Sequence, residues 1–250
     1  MTPPDDRVFA CSCGVEIPAA DLESLVLPVL GHFGTAHSEL GITEVSVRNY
    51  LEAEDRLTGP TERLEWIGSI EIRAVGLDTL EETLSFFDTE AYAGNPAWAS
   101  CYCMYFHVGG QSDDAWGNRT WSQNRSEQAA LIASGETTGV LAYVDGRLAG
   151  WCNATARARF PGFATGHDDE GVGSIVCFAI APPYRGHGVA GHLLDGAVSF
   201  LRSSGFTRIE GYPVAEPPAW ERVFRGSLAL FLDKGFEVVS EDPLVVALQG

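Results

Sequence analysis

The sequence predicts an α/β fold, a mixed β-sheet sandwiched by helices, behind a small Cys/His unit that is either α+β or all-helical. Three observations carry this prediction. Two β-rich runs meet at Asp145-Gly146, a pair that builds tight hairpins. A near-continuous apolar strand, Ser174–Ala181, passes through Pro182-Pro183 into the glycine-rich start of a helix. Cys11, Cys13, His32 and His37 gather ahead of the breaker Thr58-Gly59-Pro60-Thr61.

That breaker divides the chain into residues 1–58 and 64–250. In the first segment a Cys-Ser-Cys-Gly turn precedes an amphipathic helix over Ala20–Phe33, with Leu22, Leu25, Val26, Val29 and Leu30 at helical spacing. A second helix is predicted over Glu44–Arg56. Beyond the breaker, Ile70–Val75 alternates as a strand, and Thr79–Phe87 and Trp121–Ser134 read as helices. The hairpin pairs Gly139–Val144 with Leu148–Asn153. After the apolar strand, Val189, Leu193, Leu194, Ala197, Val198 and Leu201 form one stripe of a helix that ends near Gly205. A strand over Arg208–Tyr212, a helix over Gly226–Lys234, and strands near Phe236–Val239 and Leu244–Leu248 complete the order. Strands that alternate with helices after a hairpin make an α/β sandwich. Residues 64–250 are expected to bind their cosubstrate without the first segment.

Charge narrows the function classes. The chain has 34 acidic against 16 basic side chains, a formal charge of −18, with Lys234 its sole lysine. Phosphate contacts need clustered Lys and Arg, so nucleic acid is not expected as a partner. An acidic field favours a cationic small molecule or an amine. No apolar run approaches the ~20 residues that span a bilayer, so no membrane is expected. The N-terminus lacks an apolar signal core, and the expectation is a cytoplasmic protein whose six cysteines are free thiols or metal ligands.

The segment from Ile175 to Gly191 carries the most chemistry. A buried strand runs into Arg185-Gly-His-Gly-Val-Ala190, which opens a helix. Glycines let the backbone approach an anion closely, and the unpaired N–H groups of a first helical turn attract pyrophosphate. Arg185-x-x-Gly188-x-Ala190 after such a strand resembles the acetyl-CoA pyrophosphate loop of the GNAT acetyltransferase superfamily. The resemblance spans about residues 68–248, and includes Trp98-Ala-Ser-Cys-Tyr-Cys-Met-Tyr105 and the late Asp233-Lys-Gly-Phe236 turn.

This resemblance implies a splayed sheet and an acetyl-CoA-dependent N-acetyltransferase. Phe178, Ala179 and Ile180 would hydrogen-bond the pantetheine arm and supply an N–H for the oxyanion. The diphosphate would lie on Arg185, Gly186, His187, Gly188, Val189, Ala190 and Gly191. A primary amine, of a small cationic molecule rather than a protein, would attack the thioester directly. The family's usual tyrosine acid falls at Phe231, which cannot donate a proton. If nothing replaces that acid, Phe231→Tyr should raise kcat. Ser227, one turn earlier, is a substitute or a plain helix serine. Glu210 is the candidate general base or a surface strand acid. Asp168, Asp169 and Glu170 are candidates to gather a cationic acceptor, and Asn153 and Tyr212 to contact it. Because of Phe231, a catalytically weak acyl-CoA-binding regulator is the alternative, as is an acetyltransferase whose N-terminal module recruits a protein substrate.

Two cysteine groups stand apart. Cys11-x-Cys13 with His32-x4-His37 has ligand types suited to tetrahedral zinc, and resembles a small Cys/His domain family of unknown function. Cys101-x-Cys103 with His107, among aromatic residues, is core packing, a pocket wall, or a second metal or redox group.

Overall fold

The structure, a computed structural model, describes residues 7–109, 116–161, 171–215 and 224–249. The Cys-Ser-Cys-Gly turn is the tip of a hairpin, in which β1 (Arg7–Ala10) pairs antiparallel with β2 (Glu16–Ala19). Strands of four residues are too short to show an alternation in sequence. α1 (Leu22–Ala36) starts at Asp21, whose carboxylate accepts the Ser24 N–H at 2.8 Å. α2 (Glu44–Arg56) starts at Thr43, whose hydroxyl accepts the Ser46 N–H. Phe9, Leu25, Val26, Val29, Val47 and Leu51 form the core of this unit, which is therefore α+β.

The unit is docked as well as tethered. α2 gives Leu51 to the small core and Ala53 to the large one. Its Asn49 side chain donates to Arg119 O at 2.8 Å and accepts the Trp121 N–H at 3.0 Å. Glu52 accepts the Trp121 indole N–H. Arg56 donates to Tyr102 Oη at 2.9 Å and Asp88 O at 3.1 Å, and its guanidinium lies 4.6 Å from the Trp121 ring.

The large sheet is built from β3 (Ile70–Ala74), β4 (Gly139–Val144), β5 (Arg147–Ala156), β6 (Val172–Ile180), β7 (Arg208–Gly211), β8 (Glu237–Glu241) and β9 (Leu244–Gln249). Their spatial order is β3-β4-β5-β6-β7-β9-β8. All pairs are antiparallel except β6 with β7. α3 (Leu80–Thr89), α4 (Trp121–Ser134), α5 (Val189–Ser203) and α6 (Leu228–Asp233) complete the fold. α5 buries Val189, Leu193, Leu194, Ala197 and Leu201, the stripe expected from its sequence with Val198 at its margin. Among the described residues no helix is long and apolar enough to cross a membrane.

One feature of the sheet positions everything that follows. β6 pairs with β7 only over Val172–Ile175, yet it continues to Ile180 bonded to β5. Past Ile175 the two parallel strands part, and the far half of β6 turns an edge to a cleft.

Candidate active site

The cleft encloses about 870 Å³. One wall is the open edge of β6, at Phe178, Ala179 and Ile180. Backbone direction alternates along that edge. The Ala181 N–H donates to Ala149 O across to β5, so Ile180 turns its own N–H away from β5, toward the cleft. The Phe178 N–H is already used: it donates to Phe224 O at 2.6 Å. The family resemblance implies Phe178 as a pantetheine donor; in the structure that role requires the Phe224 carbonyl to withdraw.

At the upper end β6 gives way to the glycine turn. Gly186 (φ +77°) and Gly188 (φ +79°) take left-handed backbone, which glycine adopts without strain. Gly188 is the N-cap of α5 and has no side chain to cap the first turn. A β-carbon built on Gly188 meets nothing within 4 Å, so an anion has room there. Arg185 and Gly191 use their N–H groups inside the turn, on Pro182 O and Gly188 O. The stretch that faces an anion is thus Gly186–Ala190, narrower than the Arg185–Gly191 run expected. His187 directs its ring elsewhere, its Nε2 donating to Leu64 O at 2.9 Å, and Val189 is a core residue.

The floor and far wall are aromatic. Trp98 and Phe224 meet edge to face, 4.8 Å between ring centroids. Tyr92 and Asn95 line the same side, and Ser227 the lower end. Ser227 is the N-cap of α6, not an interior helix residue: its hydroxyl accepts the Leu230 N–H at 3.2 Å. That bond leaves the hydroxyl proton available to the cleft. Among the described residues the cleft wall carries no carboxylate.

Glu210 is not on that wall. Its carboxylate is buried in an ion-pair cluster, with Arg157 Nη1 at 2.9 Å and Arg208 Nε at 2.8 Å on its two oxygens. Tyr212 donates to it at 3.2 Å and meets Ser174 Oγ at 2.9 Å. Both carboxylate oxygens are thus committed to guanidinium groups, away from the cleft lining. The structure places the expected general base Glu210 in contact with Arg157, just after β5, and with Arg208 of β7, rather than on the cleft wall. Asn153 is fully buried, within 3.1 Å of His107 Nε2, and does not line the cleft either. Asp168, Asp169 and Glu170 lie outside the described residues.

Residues 108–217 match the model of the acetyltransferase (GNAT) family. Over those residues the chain carries a GNAT acetyltransferase domain. The open β6 edge and the turn before α5 both lie inside the matched stretch. No curated protein matches the chain. Solved structures similar to it include a GCN5-related N-acetyltransferase from Kribbella flavida, with 20% identity over 72% of this chain and 98% of that one, TM-score 0.45. The PaiA N-acetyltransferase from Thermoplasma acidophilum, in complex with coenzyme A, has 15% identity over 73% and 99%, TM-score 0.42. A GNAT-family acetyltransferase from Brucella melitensis, in complex with acetyl-CoA, has 16% identity over 72% and 88%, TM-score 0.40.

Outside the GNAT cleft, Cys11, Cys13, His32 and His37 place one ligand atom each within 4.8 Å of one another. Cys11 Sγ lies 3.4 Å from His37 Nε2, and Cys13 Sγ 3.4 Å from His32 Nε2. The Cys13 backbone N–H, and after it the His32 side chain, bring the Cys11 thiol down to about 6. Cys101, Cys103 and His107 form no such group among the described residues. Burial raises the Cys101 thiol to about 12 and holds the Cys103 thiol well above its ordinary range. Cys103 packs against Cys177 of β6, so this motif is core.

Proposed function

We propose that the chain transfers the acetyl group of acetyl-CoA to a primary amine of a small cationic molecule, by direct attack on the thioester. The observation that carries this reading is the cleft, with an anion-ready turn at one end and an open strand edge running away from it. A phosphopantetheine thioester has the same order of parts: diphosphate, amide-bearing arm, reactive carbonyl. When bound, acetyl-CoA supplies the activated acyl group. The protein's residues supply position. Gly186–Ala190 would hold phosphate oxygens by backbone N–H groups. The Ile180 N–H would meet the carbonyl oxygen as it gains charge. Ser227 has a hydroxyl directed to the cleft and would pass a proton to the departing sulfur.

The acceptor must arrive as a neutral amine, because the described wall offers no base. Its net cationic character is favoured by the charge of −18. Steady-state thiol release from acetyl-CoA across a panel of polyamines, aminoglycosides and amino acids, with product masses, tests the reading. Turnover of a cationic amine is expected; turnover confined to peptide N-termini would redirect the substrate class to protein. The occupied Phe178 N–H, with no carboxylate among the described residues of the wall, favours a second reading, an acyl-CoA-binding regulator. It predicts acetyl-CoA binding with no thiol release for any amine.

Zinc fits the Cys/His set. Bonds of ~2.3 Å to sulfur and ~2.0 Å to nitrogen at tetrahedral angles place S and N about 3.5 Å apart, beside the 3.4 Å of both pairs. Four protein ligands would close the coordination shell, which makes the role structural. Such an ion would tie the β1–β2 hairpin to the end of α1 in a unit whose buried apolar core is six residues. About one zinc per chain is expected by elemental analysis, lost in Cys11→Ser/Cys13→Ser; metal-free protein of unchanged Tm would reject it.

A further inference from the structure

The segment between the two units is more than a spacer. Leu64 is pinned to the cofactor turn on both sides: its N–H donates to Pro183 O at 3.0 Å, and its carbonyl accepts from His187 Nε2 at 2.9 Å. Earlier in the segment, the Gly59 N–H donates to Thr89 O at 2.9 Å. The strap between these anchors lays Thr61 and Arg63 on the wall of the cleft. Arg63 Nη1 sits 2.9 Å from the position a β-carbon would take on Gly186. Its guanidinium therefore stands directly over the first glycine of the turn.

Charge makes this placement unusual. In a chain of charge −18, nearly every described arginine has a carboxylate or carbonyl partner. Among the described residues no carboxylate pairs with Arg63. An exposed guanidinium without a carboxylate partner among the described residues, over a backbone turn shaped for an anion, points to an anion that comes from outside.

We propose that Arg63, carried by the inter-unit strap, is a binding residue for the diphosphate of the cosubstrate, closing over it opposite the N–H groups of Gly186–Ala190. The proposal rests on the acetyl-CoA reading above. Arginine suits the task because its planar fork meets phosphate oxygens in pairs, and a charge-assisted bond survives partial exposure. The strap also gives the N-terminal unit a part in the active site: it fixes the chain from which Arg63 reaches.

Calorimetric titration of the full chain and its Arg63→Ala and Arg63→Lys variants tests this, with acetyl-CoA, acetyl-3′-dephospho-CoA and acetyl-pantetheine as ligands. Arg63→Ala leaves the Leu64 backbone anchors in place, and an unchanged Tm verifies the fold. For both diphosphate ligands the Kd is expected to rise about 10-fold in Arg63→Ala and less in Arg63→Lys. For acetyl-pantetheine, which has no phosphate, the variants should match the wild type. Equal affinity of wild type and Arg63→Ala for acetyl-CoA overturns the proposal and leaves the cosubstrate reading standing. Tighter binding by Arg63→Ala also overturns it, since Arg63 would then be a plug. A loss that vanishes with the dephospho ligand overturns the diphosphate assignment. A wild type that binds no acetyl-CoA overturns both readings.

Discussion

The ring of Phe231 lies against the α-carbon of Gly211: a β-carbon built on that glycine would stand 2.3 Å from Cε1 and 2.7 Å from Cζ. Phe231 is fully buried, with Phe236 at 5.1 Å between centroids and Gly226 closing the other edge. The position where the family resemblance places an acid is thus a piece of core that holds α6 to the end of β7. Phe231 is not among the residues that line the cleft. Phe231→Tyr is therefore expected to overpack this site, lowering stability by about 1–3 kcal/mol without raising kcat. Urea unfolding and steady-state rates check both halves; an increased kcat would show that the hydroxyl reaches the thiol.

Gly188 offers the opposite case, a glycine beside empty space. Gly188→Asp adds a carboxylate where nothing lies within 4 Å, so the fold should survive with modest strain from the left-handed backbone. The charge would face the phosphate oxygens. Loss of measurable acetyl-CoA binding is expected by calorimetry, with the circular dichroism of the wild type. Unchanged affinity in the folded variant would remove the turn from the cofactor site.

Arg56 joins the two units. Besides Tyr102 and Asp88 it donates to Ala99 O at 3.3 Å, in a pocket where Tyr102 and Cys103 hold left-handed backbone. Arg56→Ala strands the Asp88 and Ala99 carbonyls, and should cost about 2–3 kcal/mol. Removal of residues 1–63 takes away this arginine and the Asn49 and Glu52 partners of Trp121 together. The remaining 64–250 is expected to show a lower Tm and exposed apolar surface by dye binding, contrary to the independence that the Gly-Pro breaker suggests. A truncated chain as stable as the full one would restore it.

These cases show which properties are legible in one dimension. The α5 stripe, the α2 bounds and the Asp145-Gly146 hairpin follow from local periodicity and turn chemistry, and the structure keeps them. The Cys11, Cys13, His32 and His37 group converges because its spacing spans one hairpin and one helix. Glu210 could not be placed by the same means. Its partner Arg157 lies 53 residues away, and no local pattern reports an ion pair across strands. Arg63 sits in a segment that reads as a polar linker; only the bonds from Leu64 to Pro183 and His187 bring it to the cofactor turn.

His107 should impose a pH dependence on stability. Its Nε2 lies within 3.1 Å of both Thr137 Oγ1 and Asn153 Nδ2, and its ring is 4.8 Å from Phe160. Burial, the largest cause, brings it down to about 4, with the nearby Arg159 charge acting in the same direction. Between pH 6.5 and about 4 the unfolded chain binds a proton that the native state refuses. Stability conferred by neutral His107 is therefore full above pH 6.5 and falls as pH drops through that window, by up to about 3 kcal/mol in total. The difference in unfolding free energy between wild type and His107→Gln, measured from pH 7 to 4.5, should shrink on acidification. A difference independent of pH would show that His107 does not titrate in this range.

Glu210 separates the two roles a carboxylate on β7 can play. As a general base, Glu210→Gln would lower kcat by ~10²–10⁴-fold and flatten the pH–rate profile, with the fold little disturbed. As the anchor seen here, the same change takes the Glu210 carboxylate from Arg157, whose side chain is 10% exposed. Breaking a buried ion pair from one side costs about 3–5 kcal/mol, because the remaining charge stays desolvated. Arg208, 35% exposed, can turn to solvent and adds little. The expected result is a large drop in Tm with an unshifted pH–rate profile for the protein that remains folded. A second substitution decides the matter: Arg157→Met in the Glu210→Gln background removes the guanidinium that faced Glu210 and should recover part of the lost stability. A general base would gain nothing from it, so recovery of Tm with the rate unchanged throughout fixes Glu210 as the tie between β7 and the turn after β5.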